Sequence, residues 1–113
     1  MLRMATVLLT DEAFRATFAT PMRDVTQVAT NVIDIWPYVA AIPPHDLHGH
    51  QIDNQFVEYV YRDAAGRFDH VLVMTKTKNV YVAVVVDLAH NRIHGHHLLD
   101  LNEKYALVTA GEE

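Results

Sequence analysis

Histidine is the residue type in this sequence with the widest scope for chemistry. The chain has eight histidines among 113 residues, and apart from His70 they fall into two groups. One group follows two prolines, and the other lies towards the end of the chain: His45, His48 and His50, and His90, His94, His96 and His97. Because imidazole changes its charge near neutral pH and binds metals when neutral, both acid–base and metal chemistry are open to these groups.

The spacing of the histidines indicates a metal site. Residues two apart on an extended strand project from the same face, so His94 and His96 are expected to be neighbours. Two such imidazoles can share one zinc ion or another divalent transition metal. His48 and His50 have the same spacing, and two nearby carboxylates could complete a shell: Asp46 and Asp53. A His-x-His pair is equally typical of half-buried sheet histidines, in which case no cofactor is required.

Acid–base catalysis without a metal is a second interpretation. The sequence contains no serine and no cysteine, which excludes serine and cysteine nucleophiles, disulfides and zinc–thiolate sites. The remaining candidates on neighbouring predicted strands are Tyr59, Tyr61, His70 and Tyr81. Whether these side chains converge depends on strand register, which the alternation pattern does not determine. Tyrosines that pack across strands give the same pattern.

The charge balance argues against nucleic acid and membrane partners. With 9 basic and 14 acidic residues, the formal net charge is −5. The lysines and arginines are scattered, unlike the clusters of a surface that follows phosphates. No apolar run approaches the roughly 20 residues of a membrane helix. The four glycines are too far apart for a phosphate-binding loop. We expect a cytoplasmic protein.

Helices and one ambiguous segment are predicted in the first part of the chain. Thr10 is a typical N-cap for a short helix over residues 11–19, and Asp34 for another that ends at Ala41. Residues 25–33 fit a helical stripe, but they also alternate and are rich in β-branched side chains. This composition favours a strand.

The second part of the chain predicts strands joined by short turns. A hairpin is expected at 57–75 with its turn at 63–66. The next strand, 80–86, has scarcely a polar residue and is therefore expected to be central and covered on both faces. The last strand is expected at 93–99, and Asp100 would cap a short closing helix.

These elements predict an α+β fold in a single domain, residues 1–113. We expect a four- or five-stranded antiparallel meander sheet, with short helices mainly on one face and a short C-terminal helix. Helices on one face would leave the other apolar face uncovered. Such a face needs a second subunit or a protein partner, so the sequence predicts a homodimer.

These features favour a small cytoplasmic binding or regulatory module that acts through its sheet or its oligomer surface. Immunity proteins, antitoxins and phage-encoded inhibitors share this size and class, which is an analogy and no more. The alternative is a small histidine-dependent enzyme, with or without a metal held by imidazoles. A cluster of buried carboxylates near His94 and His96 would favour the enzyme, and the sequence does not place one.

Overall fold

Five antiparallel strands form one sheet in a computed structural model that describes residues 5–19, 21–28 and 33–100. The strands lie in the sheet in the order of the sequence, so each pairs with the next. They are β1 (Arg23–Asp24), β2 (Ile52–Arg62), β3 (Phe68–Thr75), β4 (Tyr81–Asp87) and β5 (Arg92–Leu99). The helices are α1 (Asp11–Arg15), α2 (Trp36–Ala41) and a 3-10 helix (Pro44–Leu47). The α+β meander predicted from the sequence is confirmed.

The turns between these strands are fixed by polar side chains. In the β2–β3 turn, the buried carboxylate of Asp63 accepts a hydrogen bond from the Arg67 backbone N–H at 2.7 Å. Gly66 completes the turn at a φ of +70°, in the left-handed region that favours glycine. In the β3–β4 turn, the Thr75 hydroxyl donates to the Val80 carbonyl at 2.8 Å. The hairpin predicted at 57–75 is therefore confirmed.

Both faces of the sheet are covered by the chain itself. The face under α2, here called the α2 face, carries the valines Val71, Val73, Val82 and Val84. The opposite face, here called the α1 face, carries Leu72, Ala83 and Val85 beneath Phe14. All of β4 is buried, as its apolar sequence predicts. The 3-10 helix lies on the same side as α2, but α1 covers the other face. The uncovered apolar face that argued for a homodimer is therefore not found in the described residues.

The strand predicted at 25–33 is wrong where the structure describes that segment. Strand β1 is only two residues long in the described part of this segment, the Val25 N–H still donates to the Val60 carbonyl at 2.8 Å, and residues 26–28 form a turn. The Asp24 carboxylate accepts a hydrogen bond from the Thr26 backbone N–H at 2.9 Å. The short side chain of aspartate thus offers the backbone an alternative to strand pairing, and here it outweighs β-branched composition. Residues 29–32 lie outside the described chain.

Helix α1 begins where the sequence predicts and ends earlier. Thr10 is its N-cap, and its hydroxyl accepts a hydrogen bond from the Ala13 N–H at 3.1 Å. The helix predicted over 11–19 ends at the fifth residue. The Thr17 hydroxyl then donates to the Phe14 carbonyl at 2.6 Å, a local bond of the kind that competes with helical pairing.

Helix α2 is confirmed with a small change at its start. The Asp34 carboxylate accepts from the Trp36 backbone N–H at 3.1 Å, although Ile35 occupies the N-cap position. The closing helix predicted after Asp100 lies outside the described residues. None of the helices that the structure describes is long and apolar enough to cross a membrane.

The segment before α1 pairs with the outer edge of β5. Leu9 donates its N–H to the His96 carbonyl at 2.8 Å, and His96 donates its own N–H to the Val7 carbonyl at 2.9 Å. Leu8 and His96 thereby form a parallel bridge. Gly95 allows this close approach, because a Cβ there would lie only 2.6 Å from the Leu9 side chain.

A bulge interrupts β5 at His94. Val85 of β4 pairs with Gly95, but the next residue, Val86, pairs with Ile93. His94 is therefore an extra residue in the ladder. An extra residue breaks the simple alternation by which every second side chain shares a face.

Candidate functional site

A buried imidazole, that of His96 on β5, lies between a carboxylate and a phenol on the α2 face. The His96 Nε2 is 2.9 Å from Asp46 Oδ2, and the Nδ1 is 2.8 Å from the Tyr38 hydroxyl oxygen. Tyr38 belongs to α2 and Asp46 to the 3-10 helix, so three elements meet at this ring. His96 is 1% exposed and Asp46 is 6% exposed. We call these residues the Asp46–His96–Tyr38 network.

The direction of each hydrogen bond follows from which groups can donate. An ionised carboxylate only accepts, so His96 donates its Nε2–H to Asp46, and its Nδ1 accepts the Tyr38 O–H. The Tyr38 oxygen in turn accepts the Val7 backbone N–H at 2.9 Å. If the ring gains a second proton, the Tyr38 O–H can turn to the Val7 carbonyl at 3.3 Å. Each polar group in the network therefore has a partner in either state.

Burial sets the charge of this network. It lowers the pKa of His96, and the hydrogen bond to the Asp46 carboxylate opposes that shift without reversing it. Burial also raises the pKa of Tyr38. At neutral pH the network therefore holds a neutral imidazole and a neutral phenol. The second oxygen of Asp46 lies 3.0 Å from Nε2 of His45, an exposed residue.

Asp46 also forms part of the wall of a pocket of about 400 Å³. The pocket lies between the segment before α1, the loop after the 3-10 helix and the end of β5. Its polar wall consists of carboxylates and imidazoles: Asp11, Asp46, His48, His50, His97 and Asp100. Its apolar wall includes Leu8, Val80 and Leu98. The pocket thus brings together members of the two histidine groups that are separate in the sequence.

The two ring nitrogens of His97 have different roles: Nδ1 is held by a backbone carbonyl, and Nε2 lies near a carboxylate of the pocket wall. Its Nδ1 is 3.0 Å from the Leu9 carbonyl oxygen, which only accepts, so Nδ1 carries the hydrogen. In the neutral ring, Nε2 then carries a lone pair. The Nε2 atom lies 3.4 Å from Asp11 Oδ1. The ring stacks on Phe14 with the centroids 4.4 Å apart. His97 is therefore a well-positioned acceptor at the pocket wall.

His70, a candidate from the sequence, is a core residue and does not line the pocket. Its Nε2 is 2.9 Å from the Thr17 hydroxyl oxygen, while its Nδ1 has no hydrogen-bond partner among the described residues. The rings of Phe14 and Phe18 lie 5.3 and 4.9 Å away. The side chain is 0% exposed, and burial lowers the pKa of His70 to about 4. The ring is therefore neutral at neutral pH.

The three candidate tyrosines lie together on the α1 face and do not line the pocket. The rings of Tyr59 and Tyr61 stack with centroids 5.8 Å apart, and Tyr61 pairs with His70 across β2 and β3. Burial raises the pKa of Tyr61 to about 12. Burial and a hydrogen bond with Glu58 raise the pKa of Tyr81 as well. Phenols that hold their protons this firmly are poor general acids and are not ionised to act as bases at neutral pH, so the geometry supports a packing role.

His94 and His96 do not form the neighbouring pair that the sequence predicts. Beyond the bulge, the His94 ring lies 5.3 Å from the ring of Phe68, which packs on the α1 face, while His96 contacts Tyr38 on the α2 face. Among residues 5–19, 21–28 and 33–100, no three His, Asp or Glu side chains lie close enough together to hold a metal ion. A zinc site at His94 and His96 stays a prediction, but the shared face on which it depended is wrong.

The sequence carries little signal for the residues that build this site. Asp46 and Tyr38 are 50 and 58 residues from His96, so no local spacing relates them. His97 is one histidine among several, and its distinctive feature is a hydrogen bond to a carbonyl 88 residues away. One weak signal exists: Asp46 follows two prolines, which stiffen the loop that carries it.

No protein-family model, curated protein or solved structure matches this chain. Function is therefore argued from the site itself.

Proposed function

We propose that this protein is a small binding or regulatory module whose ligand occupies the pocket at the end of β5. The composition of the pocket carries the proposal: about 400 Å³ of space, with an apolar wall beside carboxylates and imidazoles. Small-molecule sites combine apolar surface with a few positioned polar groups, usually in clefts of roughly 300–1,000 Å³. The ligand would act at this pocket, in place of the uncovered sheet face expected from the sequence.

The Asp46–His96–Tyr38 network supports the proposal because it fixes the pocket wall. His96 connects β5 to the 3-10 helix through Asp46 and to α2 through Tyr38. Its backbone also connects β5 to the segment before α1. A site whose walls are already anchored loses less conformational entropy when a ligand binds.

A small histidine-dependent enzyme is the second candidate function, and His97 is the observation that favours it. A general base needs an accessible lone pair within reach of the substrate. The His97 Nε2 has that lone pair in the neutral ring, since Nδ1 donates to the Leu9 carbonyl. Binding remains the preferred proposal because the sequence supplies no serine or cysteine nucleophile. His96, 1% exposed, is also sealed from direct contact with a ligand.

The partners and location expected from the sequence also belong to this proposal. The acidic balance, with a net charge of −5, supports a cytoplasmic protein that does not bind nucleic acid. A homodimer or a protein partner remains compatible with the pocket proposal. The uncovered sheet face no longer supports a homodimer, because α1 covers that face.

The proposal is tested by NMR titration of the 15N-labelled protein with mixtures of small neutral, anionic and cationic molecules. We expect backbone shifts to cluster at Leu8, Thr10, residues 46–50 and Leu98. Leu8→Arg places a long side chain at the rim and should abolish these shifts. Val7→Arg is the matched control, because Val7 and Leu8 are 50% and 49% exposed but only Leu8 lines the pocket.

Two outcomes would separate the candidates. Shifts that are absent, or that map to another surface, would show that the pocket is not the ligand site. Chemical turnover of a bound molecule that disappears in Leu8→Arg would favour the enzyme over the binding module.

A further inference from the structure

Two hydrogen-bond acceptors face each other at the wall of the pocket. The His97 Nδ1 donates to the Leu9 carbonyl, so the neutral ring presents a lone pair at Nε2. The Nε2 lies 3.4 Å from Asp11 Oδ1. Two acceptors at this distance repel each other unless a donor lies between them or near both. A hydrogen-bond donor from outside the pair, such as water or a ligand, can satisfy both acceptors.

The charges around the pocket specify what kind of donor fits. The wall carries the carboxylates of Asp11, Asp46 and Asp100, and none of the described residues that line it is a lysine or an arginine. An anionic ligand would meet like charge at these three carboxylates, and like charges in proximity are disfavoured. A cationic donor would be attracted to both the imidazole lone pair and the carboxylates. A metal ion is the poorer fit, because zinc needs about four ligands and no group of three is found in the described chain.

The apolar wall of the pocket indicates that the ligand has an apolar part as well as a positive charge. Leu8 is a large apolar side chain left 49% exposed, and it lines the pocket together with the half-buried Val80 and Leu98. Burying such side chains under a ligand removes apolar surface from water and so favours binding. A ligand with an apolar body would cover these three residues while its charged end remained at Asp11 and His97.

We propose that the pocket binds a primary ammonium group attached to a short apolar chain. The ammonium group donates to the His97 Nε2 and the Asp11 carboxylate, and the chain lies against Leu8, Val80 and Leu98. This inference rests on the proposed binding function and adds the chemical class of the ligand. It assigns Asp11 and His97 as the residues that select the class.

The class is tested with three probes of one size, n-butylamine, n-butanol and butyrate, titrated into the 15N-labelled protein at pH 8, where primary amines are protonated. Butylamine should shift the pocket resonances at lower concentration than butanol, and butyrate should not shift them. Lengthening the amine from ethyl to butyl should tighten binding by about two- to fourfold per methylene group. Equal or tighter binding of butanol or butyrate would overturn the ammonium assignment.

Asp11→Asn tests the selecting carboxylate. Because Asp11 is exposed, we expect the affinity for butylamine to fall by about two- to fivefold, while the affinity for butanol does not change. Glu12→Gln is the matched control, since it removes the same charge from the next residue of α1, which does not line the pocket. An equal effect of both variants would show that only the net charge matters and would contradict the assignment.

The 15N shifts of the His97 ring give a second readout in the free protein. Hydrogen on Nδ1 alone, with Nε2 unprotonated, is the state that the proposal requires. A doubly protonated ring would mean that Asp11 already has its donor, and the proposal would then be wrong.

If the three probes fail but other fragments shift the pocket resonances, only the ligand class is wrong. If no fragment of any class binds there, the proposed function fails as well.

Discussion

His70 and His96 are both buried on strands of the same sheet, yet within the described part of the chain only His96 has a hydrogen-bond partner at each ring nitrogen. His96 lies on the α2 face, beneath a phenol and a carboxylate. His70 lies on the α1 face, beneath two phenylalanine rings and the hydroxyl of Thr17. The sheet itself treats the two residues alike, and the segments that cover each face make the difference.

Burial alone does not determine how readily a histidine accepts a second proton. A second proton on His96 finds an acceptor, because the Tyr38 O–H can turn to the Val7 carbonyl. A second proton on His70 would sit on Nδ1, for which residues 5–19, 21–28 and 33–100 supply no hydrogen-bond partner. A buried donor without an acceptor is costly, so the α1 face resists protonation more strongly than the α2 face does.

The largest effect is expected when the α2 face loses its imidazole. His96→Leu leaves the Asp46 carboxylate buried without the Nε2–H donor, and breaking a buried pair in this way costs about 3–5 kcal/mol. Urea denaturation at pH 7 measures the free energy of unfolding. His94→Leu is the matched control on the same strand, and as an exposed site it should change the stability by no more than about 0.5 kcal/mol. Similar losses in the two variants would contradict the role of the network.

The next effect concerns acid and the α1 face. Burial lowers the pKa of His70 from 6.5 to about 4, so between these pH values the unfolded chain binds more protons than the folded one. Stability contributed by the neutral ring is therefore lost as the pH falls through this range, by roughly 3 kcal/mol in total. His70→Leu should remove this part of the acid sensitivity, and it should change the stability at pH 7 by less than about 1.5 kcal/mol.

Urea midpoints of the wild type and His70→Leu, measured at steps from pH 7 down to pH 4, follow this difference. His70→Leu should gain stability relative to the wild type at each step down in pH, whichever protein is the more stable at pH 7. Parallel curves would show that His70 is not the group that makes the folded protein sensitive to acid.

The smallest effect compares the two hydroxyl groups that contact these rings. Thr17→Val removes the oxygen that accepts from the His70 Nε2–H and should cost about 1–2 kcal/mol. Tyr38→Phe removes a hydroxyl that serves both the Val7 N–H and the His96 Nδ1, so it should cost more. Thermal and urea unfolding of the two variants rank them. A larger loss in Thr17→Val would reverse the comparison between the faces.

Alternation in the sequence predicts β2 to β5 and their meander order because each strand pairs with its neighbour along the chain. It fails at residues 26–28, where a hydrogen bond from Thr26 to the Asp24 carboxylate outweighs β-branched composition. It also fails at His94, because one extra residue in a strand leaves no mark on a pattern of period two.

The candidate site is less predictable than the sheet. The sequence indicates that histidines matter, but it pairs His94 with His96, while the structure joins His96 to Asp46 and Tyr38. These partners come from segments that only the folded sheet brings together. The partners are too far apart in the sequence for any local spacing rule to relate them. The site is therefore formed by tertiary contacts and not by a local motif.

The seam between Leu9 and β5 has a consequence for the order of folding. Leu9 and His97 are 88 residues apart, whereas every strand pair joins neighbours along the chain. Each doubling of a loop adds about 0.6 kcal/mol to the entropic cost of closing it, so the hairpins can close before the seam. Contacts that form after the folding barrier slow unfolding without speeding folding. If the seam closes after that barrier, a ligand held there lengthens the lifetime of the folded protein and leaves its folding rate unchanged.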